Sequence, residues 1–90
     1  MKNCCIFGLG YIGLPTAALL AKSGLKVFGV EINDSIIDAI NNGKTHFKEK
    51  NLDELVKQQV HEKKLLAARV PNYADVFIIA VPTPFINSKD

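Results

Sequence analysis

Gly8, Gly10 and Gly13 stand directly behind the apolar run Cys4 to Phe7, and Glu31 closes a second apolar run, Val27 to Val30, 18 positions after the last of them. Glycines at this spacing have distinct mechanical uses. Gly8 permits a tight turn off a strand, Gly10 admits a pyrophosphate to the backbone with no Cβ in the way, and Gly13 lets a helix lie close on a sheet. A helix opening near Tyr11 turns free N–H groups and the positive end of its dipole toward such an anion. A carboxylate at Glu31 accepts both hydroxyls of a ribose. Three glycines alone also occur in ordinary turns, and an acid at a strand end is often a capping or solvated group. The order strand, glycine loop, helix, strand and acid is what predicts a dinucleotide-binding unit. Ile32, Asn33 and Asp34 follow Glu31 with no arginine to receive a 2′-phosphate, so NAD is expected over NADP.

Other residues with chemical potential are weaker candidates. Pro82 and Pro84 fix φ on either side of Thr83 at the carboxyl end of an apolar run, where open α/β sheets place their ligands. Thr83 either faces a bound cofactor or belongs to a plain loop. Cys4 and Cys5 are adjacent in a strand and point to opposite faces, so they cannot act as a C-x-x-C pair and read as small buried residues. His46 and His61 have no ligand-spaced partner on a common face. Asp53 and Glu54 open a helix and favour its dipole. Neither a catalytic nor a metal site is expected within the chain.

The elements that must position the glycine loop are legible from period and punctuation. Gly13, Ala17 and Ala21 recur every four residues and give the first helix a face of small residues for the sheet, with Ser23-Gly24 as its stop. Asn33 or Asp34 caps a short helix carrying Ile36, Ile37 and Ile40, which ends at Asn41-Asn42-Gly43. Leu52, Leu55, Val56 and Val60 mark another helix, with Asn51 as candidate cap. Leu65 to Val70 reads as a short edge strand, Pro71 to Asp75 as a turn or one-turn helix, and Val76 to Val81 as a strand buried on both faces. The fold class is therefore α/β: a Rossmann-type parallel sheet, with the chain as the N-terminal half of a dinucleotide-binding domain. Right-handed crossovers give strand order three, two, one, four, leaving the last strand with a bare edge through which the chain is expected to self-associate.

Composition sets limits on the rest. The 90 residues make one small domain or part of a larger one, 48% hydrophobic and 22% charged with net charge +2. That balance leaves no footprint for nucleic acid or acidic lipid. The longest apolar stretch falls far short of the roughly twenty residues a membrane span requires. Glycines and Pro15 interrupt any secretory signal, and the unpaired cysteines suit a reducing cytoplasm.

The block GLGYIGLPTAALLAKSGLKVFGVEIN, then INNGK, then ADVFIIAVPTPF resembles the N-terminal segment of the UDP-glucose/GDP-mannose dehydrogenase family. The resemblance runs from Asn3 to about Ile86, and it is greatest to the branch acting on UDP-N-acetylmannosamine. It implies that Gly8, Gly10, Tyr11, Ile12 and Gly13 wrap the NAD pyrophosphate, that Glu31 holds the adenosine ribose, and that Thr83 lies against the cofactor. The implied activity is oxidation of a nucleotide-sugar C6 alcohol to the carboxylate with two NAD, through a thiohemiacetal and thioester on a cysteine. That cysteine and a lysine lie in later segments of family members, so residues 1–90 are expected to form a partial NAD-binding domain, inactive alone. The UDP-sugar would be the partner of the full-length protein, and a homo-oligomer is expected. Related sequences often carry Glu-Pro where this chain has Glu49-Lys50-Asn51, which leaves Glu49 without an inherited role. A flavin-binding version of the same βαβ unit and an NAD-sensing regulatory module are the alternatives.

Overall fold

The computed structural model describes residues 3–80. Cys4 to Phe7 lies in one of the two inner strands because successive apolar residues face both sides of the sheet. The order along the chain is β1 (Asn3–Phe7), α1 (Gly13–Lys22), β2 (Lys26–Val30), α2 (Asp34–Asn41), α3 (Leu52–His61), β3 (Leu65–Ala68) and β4 (Val76–Ile79). The sheet runs β3-β2-β1-β4, and every pairing is parallel. This is the expected order and the expected class. Ile6 lies between Gly29 and Ile78, which fixes the register across the centre.

One face of the sheet, with Cys4, Ile6, Val27, Leu65 and Ala67, packs under all three helices. Leu14, Ala17, Ala18 and Ala21 of α1, Ile40 of α2 and Leu52 and Val56 of α3 join them in a single buried cluster. Two successive right-handed crossovers in the same direction require this one-sided arrangement. The small-residue face of α1 is fully buried, as its spacing predicts.

Helix ends follow local chemistry. Asn33 caps α2, its Oδ1 accepting from the N–H of Ser35 at 2.9 Å and of Ile36 at 3.4 Å. Asn51 also sits at the N-cap position expected for α3, but its side chain caps nothing. Its φ of 68° places it in the left-handed region, which asparagine tolerates better than most residues. The start of α3 is held instead by Asp53 and Glu54 in its first turn, with Asp53 accepting from the Thr45 hydroxyl.

The second half departs from expectation in three places. β3 stops at Ala68 rather than Val70, because Arg69 leaves the sheet to meet Asp34. Pro71 to Asp75, expected as a turn or a one-turn helix, forms neither. β4 is not buried on both faces: Phe77 and Ile79 are 54% and 75% exposed. These two lie on the sheet face opposite the helices, and among the described residues no strand pairs with β4's outer edge. At the other edge, the Asn41 side chain pairs with both backbone groups of Ala67 at 2.8 Å, standing in for a neighbouring strand.

Candidate nucleotide site

The glycine loop leaves the carboxyl end of β1 under tight constraint. Gly8 has φ of +101°, and its N–H donates to the Val30 carbonyl at 2.9 Å, so the turn begins locked to β2. A Cβ on Gly13 would collide with the Gly8 carbonyl oxygen, which makes glycine obligatory where α1 crosses the strand. A Cβ on Gly10 would meet nothing within 4 Å. Gly10 is therefore not needed by the fold around it, and the open space above its backbone is where a ligand can approach.

Leu9 is the loop residue that the glycine pattern does not reveal. Its side chain is fully buried, and a Cβ on Gly29 would stand 2.6 Å from its Cδ1. The loop is thus pegged to the sheet by one leucine inserted over a glycine in β2. The available signal was Gly29 itself, since a glycine inside a strand often marks a close approach.

Glu31 follows β2 directly, and its carboxylate reaches the loop. Oε1 accepts from the Leu9 N–H and Oε2 from the Asn33 N–H, both at 3.2 Å. A carboxylate oxygen has more than one lone pair, so each retains acceptor capacity for a ribose hydroxyl. The same corner holds Arg69, whose Nε donates to Asp34 Oδ1 at 2.8 Å. Reading only the residues next to Glu31 in sequence misses this arginine, because it arrives from β3.

Among the three helices, α1 alone has neither a side-chain cap nor an acidic residue in its first turn. The Leu14 N–H donates to the Gly10 carbonyl at 3.0 Å and Pro15 carries no N–H, so the donors ahead of Leu14 and the positive dipole end are what an anion can meet. Tyr11 and Ile12, just before α1, are 75% and 73% exposed. The Tyr11 ring leans on Phe47 of the α2–α3 connection, with centroids 4.5 Å apart.

The remaining candidates are not brought to this site. Cys4 and Cys5 are buried and unpaired, and burial pushes the Cys4 thiol above its ordinary range, with Cys5 adding to the effect. Such a thiol is a poor nucleophile. His46 and His61 are exposed, and among the described residues no cluster of three His, Cys, Asp or Glu side chains can hold a metal. A groove lined by Lys22, Asn42, Gly43, Lys57 and His61 includes no residue of the glycine loop. Thr83 lies outside the described residues.

The sequence profile of the UDP-glucose/GDP-mannose dehydrogenase family, NAD-binding domain, matches residues 2–90. The chain belongs to this family. It is 57% identical over 84 residues to a UDP-N-acetyl-D-mannosamine dehydrogenase of Campylobacter jejuni, covering 93% of this chain and 21% of that one. An NDP-N-acetyl-D-galactosaminuronic acid dehydrogenase of Ralstonia nicotianae is 50% identical, over 98% of this chain and 21% of its own length. The solved UDP-N-acetyl-mannosamine dehydrogenase of Staphylococcus aureus superposes with a TM-score of 0.89 at 44% identity, over 92% of this chain and 20% of that one. The chain thus spans about a fifth of the length of these relatives. Its fold is a Rossmann-type NAD-binding fold and its cofactor is NAD, which sets the flavin alternative aside. The residues present fit that cofactor: open backbone at Gly10, an uncapped helix end, and a carboxylate beside the loop. Among the described residues no helix is long and apolar enough to cross a membrane.

Proposed function

We propose that Gly8, Gly10, Tyr11, Ile12 and Gly13 receive the NAD pyrophosphate, that Glu31 holds the adenosine ribose, and that Thr83 lies against the cofactor. The observation that carries this reading is the Leu9 N–H to Glu31 hydrogen bond, which brings the acidic side chain beside the glycine loop. A pyrophosphate over Gly10 and a ribose at Glu31 would then be neighbours, as they are in one adenosine diphosphate moiety. Bound NAD supplies the hydride acceptor. The chain's own residues bind and orient it, with backbone N–H groups answering the phosphate charge and the carboxylate answering the ribose.

In the wider protein this domain would serve a cytoplasmic, homo-oligomeric UDP-sugar 6-dehydrogenase. That enzyme would oxidise the C6 alcohol of a UDP-N-acetylhexosamine, foremost UDP-N-acetylmannosamine, to the uronic acid with two NAD. The similarity to the C. jejuni enzyme supports that choice of sugar. Residues 1–90 would form a partial domain without the UDP-sugar site or the catalytic groups, and the chain alone should not reduce NAD. Calorimetry tests the ribose assignment. Glu31→Gln removes the charge but keeps the shape, and it should weaken NAD binding by about tenfold. Unchanged affinity would remove Glu31 from the site.

A further inference from the structure

Arg69 is the only arginine in the chain. It stands one position beyond the end of β3, and the preceding residue, Ala68, accepts the Glu31 N–H at 2.9 Å. Arg69 and Glu31 therefore leave neighbouring strands side by side at the carboxyl edge of the sheet. The Arg69 guanidinium is turned onto Asp34, with Nε to Oδ1 at 2.8 Å and Nη2 to Oδ2 at 3.4 Å. Asp34 adjoins Asn33, whose N–H is bound to Glu31. The Arg69 and Asp34 side chains are 58% and 70% exposed, so no apolar layer fixes the pair and the core does not depend on it.

We propose that Asp34 is a specificity-determining residue: by holding Arg69 it withholds from the ribose corner a side chain suited to a 2′-phosphate, and so enforces, together with Glu31, the selection of NAD over NADP. The inference rests on Glu31 marking the ribose subsite. A guanidinium presents a planar fork matched to phosphate oxygens, and a carboxylate that engages two of its donors offsets its charge and fixes which way the fork points. With Asp34 present the corner holds two carboxylates and one guanidinium. Without it, Glu31 and Arg69 balance and the fork is free to turn. An exposed ion pair is weak, so the effect should be modest and should shrink as salt rises.

The test compares NADP and NAD dissociation constants by NMR-detected titration, which reads into the millimolar range. Asp34→Asn should improve NADP relative to NAD by about fivefold, and Asp34→Ala, which leaves no amide to hold the guanidinium, by at least as much. Adding Arg69→Ala to either variant should cut the gain to below about twofold. A ratio unmoved by both Asp34 variants would overturn the proposal. So would a gain that survives Arg69→Ala, because the carboxylate would then act by charge alone. Glu31→Gln keeps the two readings apart. If it leaves NAD affinity unchanged, the ribose assignment itself has failed. If it weakens NAD while the Asp34 variants leave the ratio unmoved, only the role of Asp34 has.

Discussion

One added methyl group should have opposite consequences at Gly10 and Gly13. At Gly13 it meets the Gly8 carbonyl, so Gly13→Ala should destabilise the fold by about 2–3 kcal/mol, read by urea denaturation. At Gly10 it meets nothing, so Gly10→Ala should keep stability within about 1 kcal/mol while weakening NAD binding. Equal stability loss at both positions would remove the distinction between a packing glycine and a ligand glycine. The jobs of these two glycines were legible because the motif spacing itself has mechanical meaning. Leu9 and Arg69 were not, because their roles depend on Gly29 and Asp34, which lie far from them in sequence and meet them only in the folded sheet. Cys4 is a small buried side chain, as its place in an apolar strand predicts. Its burial and raised thiol pKa should make it slow to react with iodoacetamide in the native state at pH 8, with reaction quickening on unfolding.

Each helix ends on the same backbone device, with different residues paying attention to its left-handed position. In α1 the Leu25 N–H returns to Leu20, in α2 the Lys44 N–H to Ala39, and in α3 the Lys64 N–H to Gln59. The residue before each donor has positive φ: Gly24 at 113°, Gly43 at 77° and Lys63 at 62°. Glycine takes that conformation without a Cβ penalty, and lysine does not. Lys63→Gly should therefore stabilise the chain by about 0.5–1 kcal/mol in thermal unfolding, and a loss of stability would contradict this account of the helix end. The glycine stops of α1 and α2 could be read in the sequence. The end of α3 could not be read that way, since its left-handed residue is a lysine among charged neighbours. Asn51 stands at the expected N-cap position, where asparagine serves for its backbone tolerance and not for a capping oxygen.

At the scale of the molecule, parallel pairing and right-handed crossovers make the strand order legible in the sequence. Burial of β4 was not legible, because an apolar run carries no mark of whether a neighbouring layer exists. Helices cover one sheet face, while Phe77 and Ile79 stand exposed on the other beside an outer edge that carries no blocking charge. The 90-residue chain should therefore self-associate through β4. Sedimentation should show Ile79→Lys shifting it toward monomer, and a wild-type monomer at millimolar concentration would count against this. Ile79 suits the test because its side chain is 75% exposed, whereas Ile78 packs against the core. Whether the glycine loop and Glu31 form one NAD site is read by following backbone amides while NAD is added. Concerted shifts are expected across Gly8 to Gly13 and at Glu31, saturating at one NAD per chain and lost in Gly10→Val. Shifts confined to other surfaces, or an undiminished response in Gly10→Val, would contradict it.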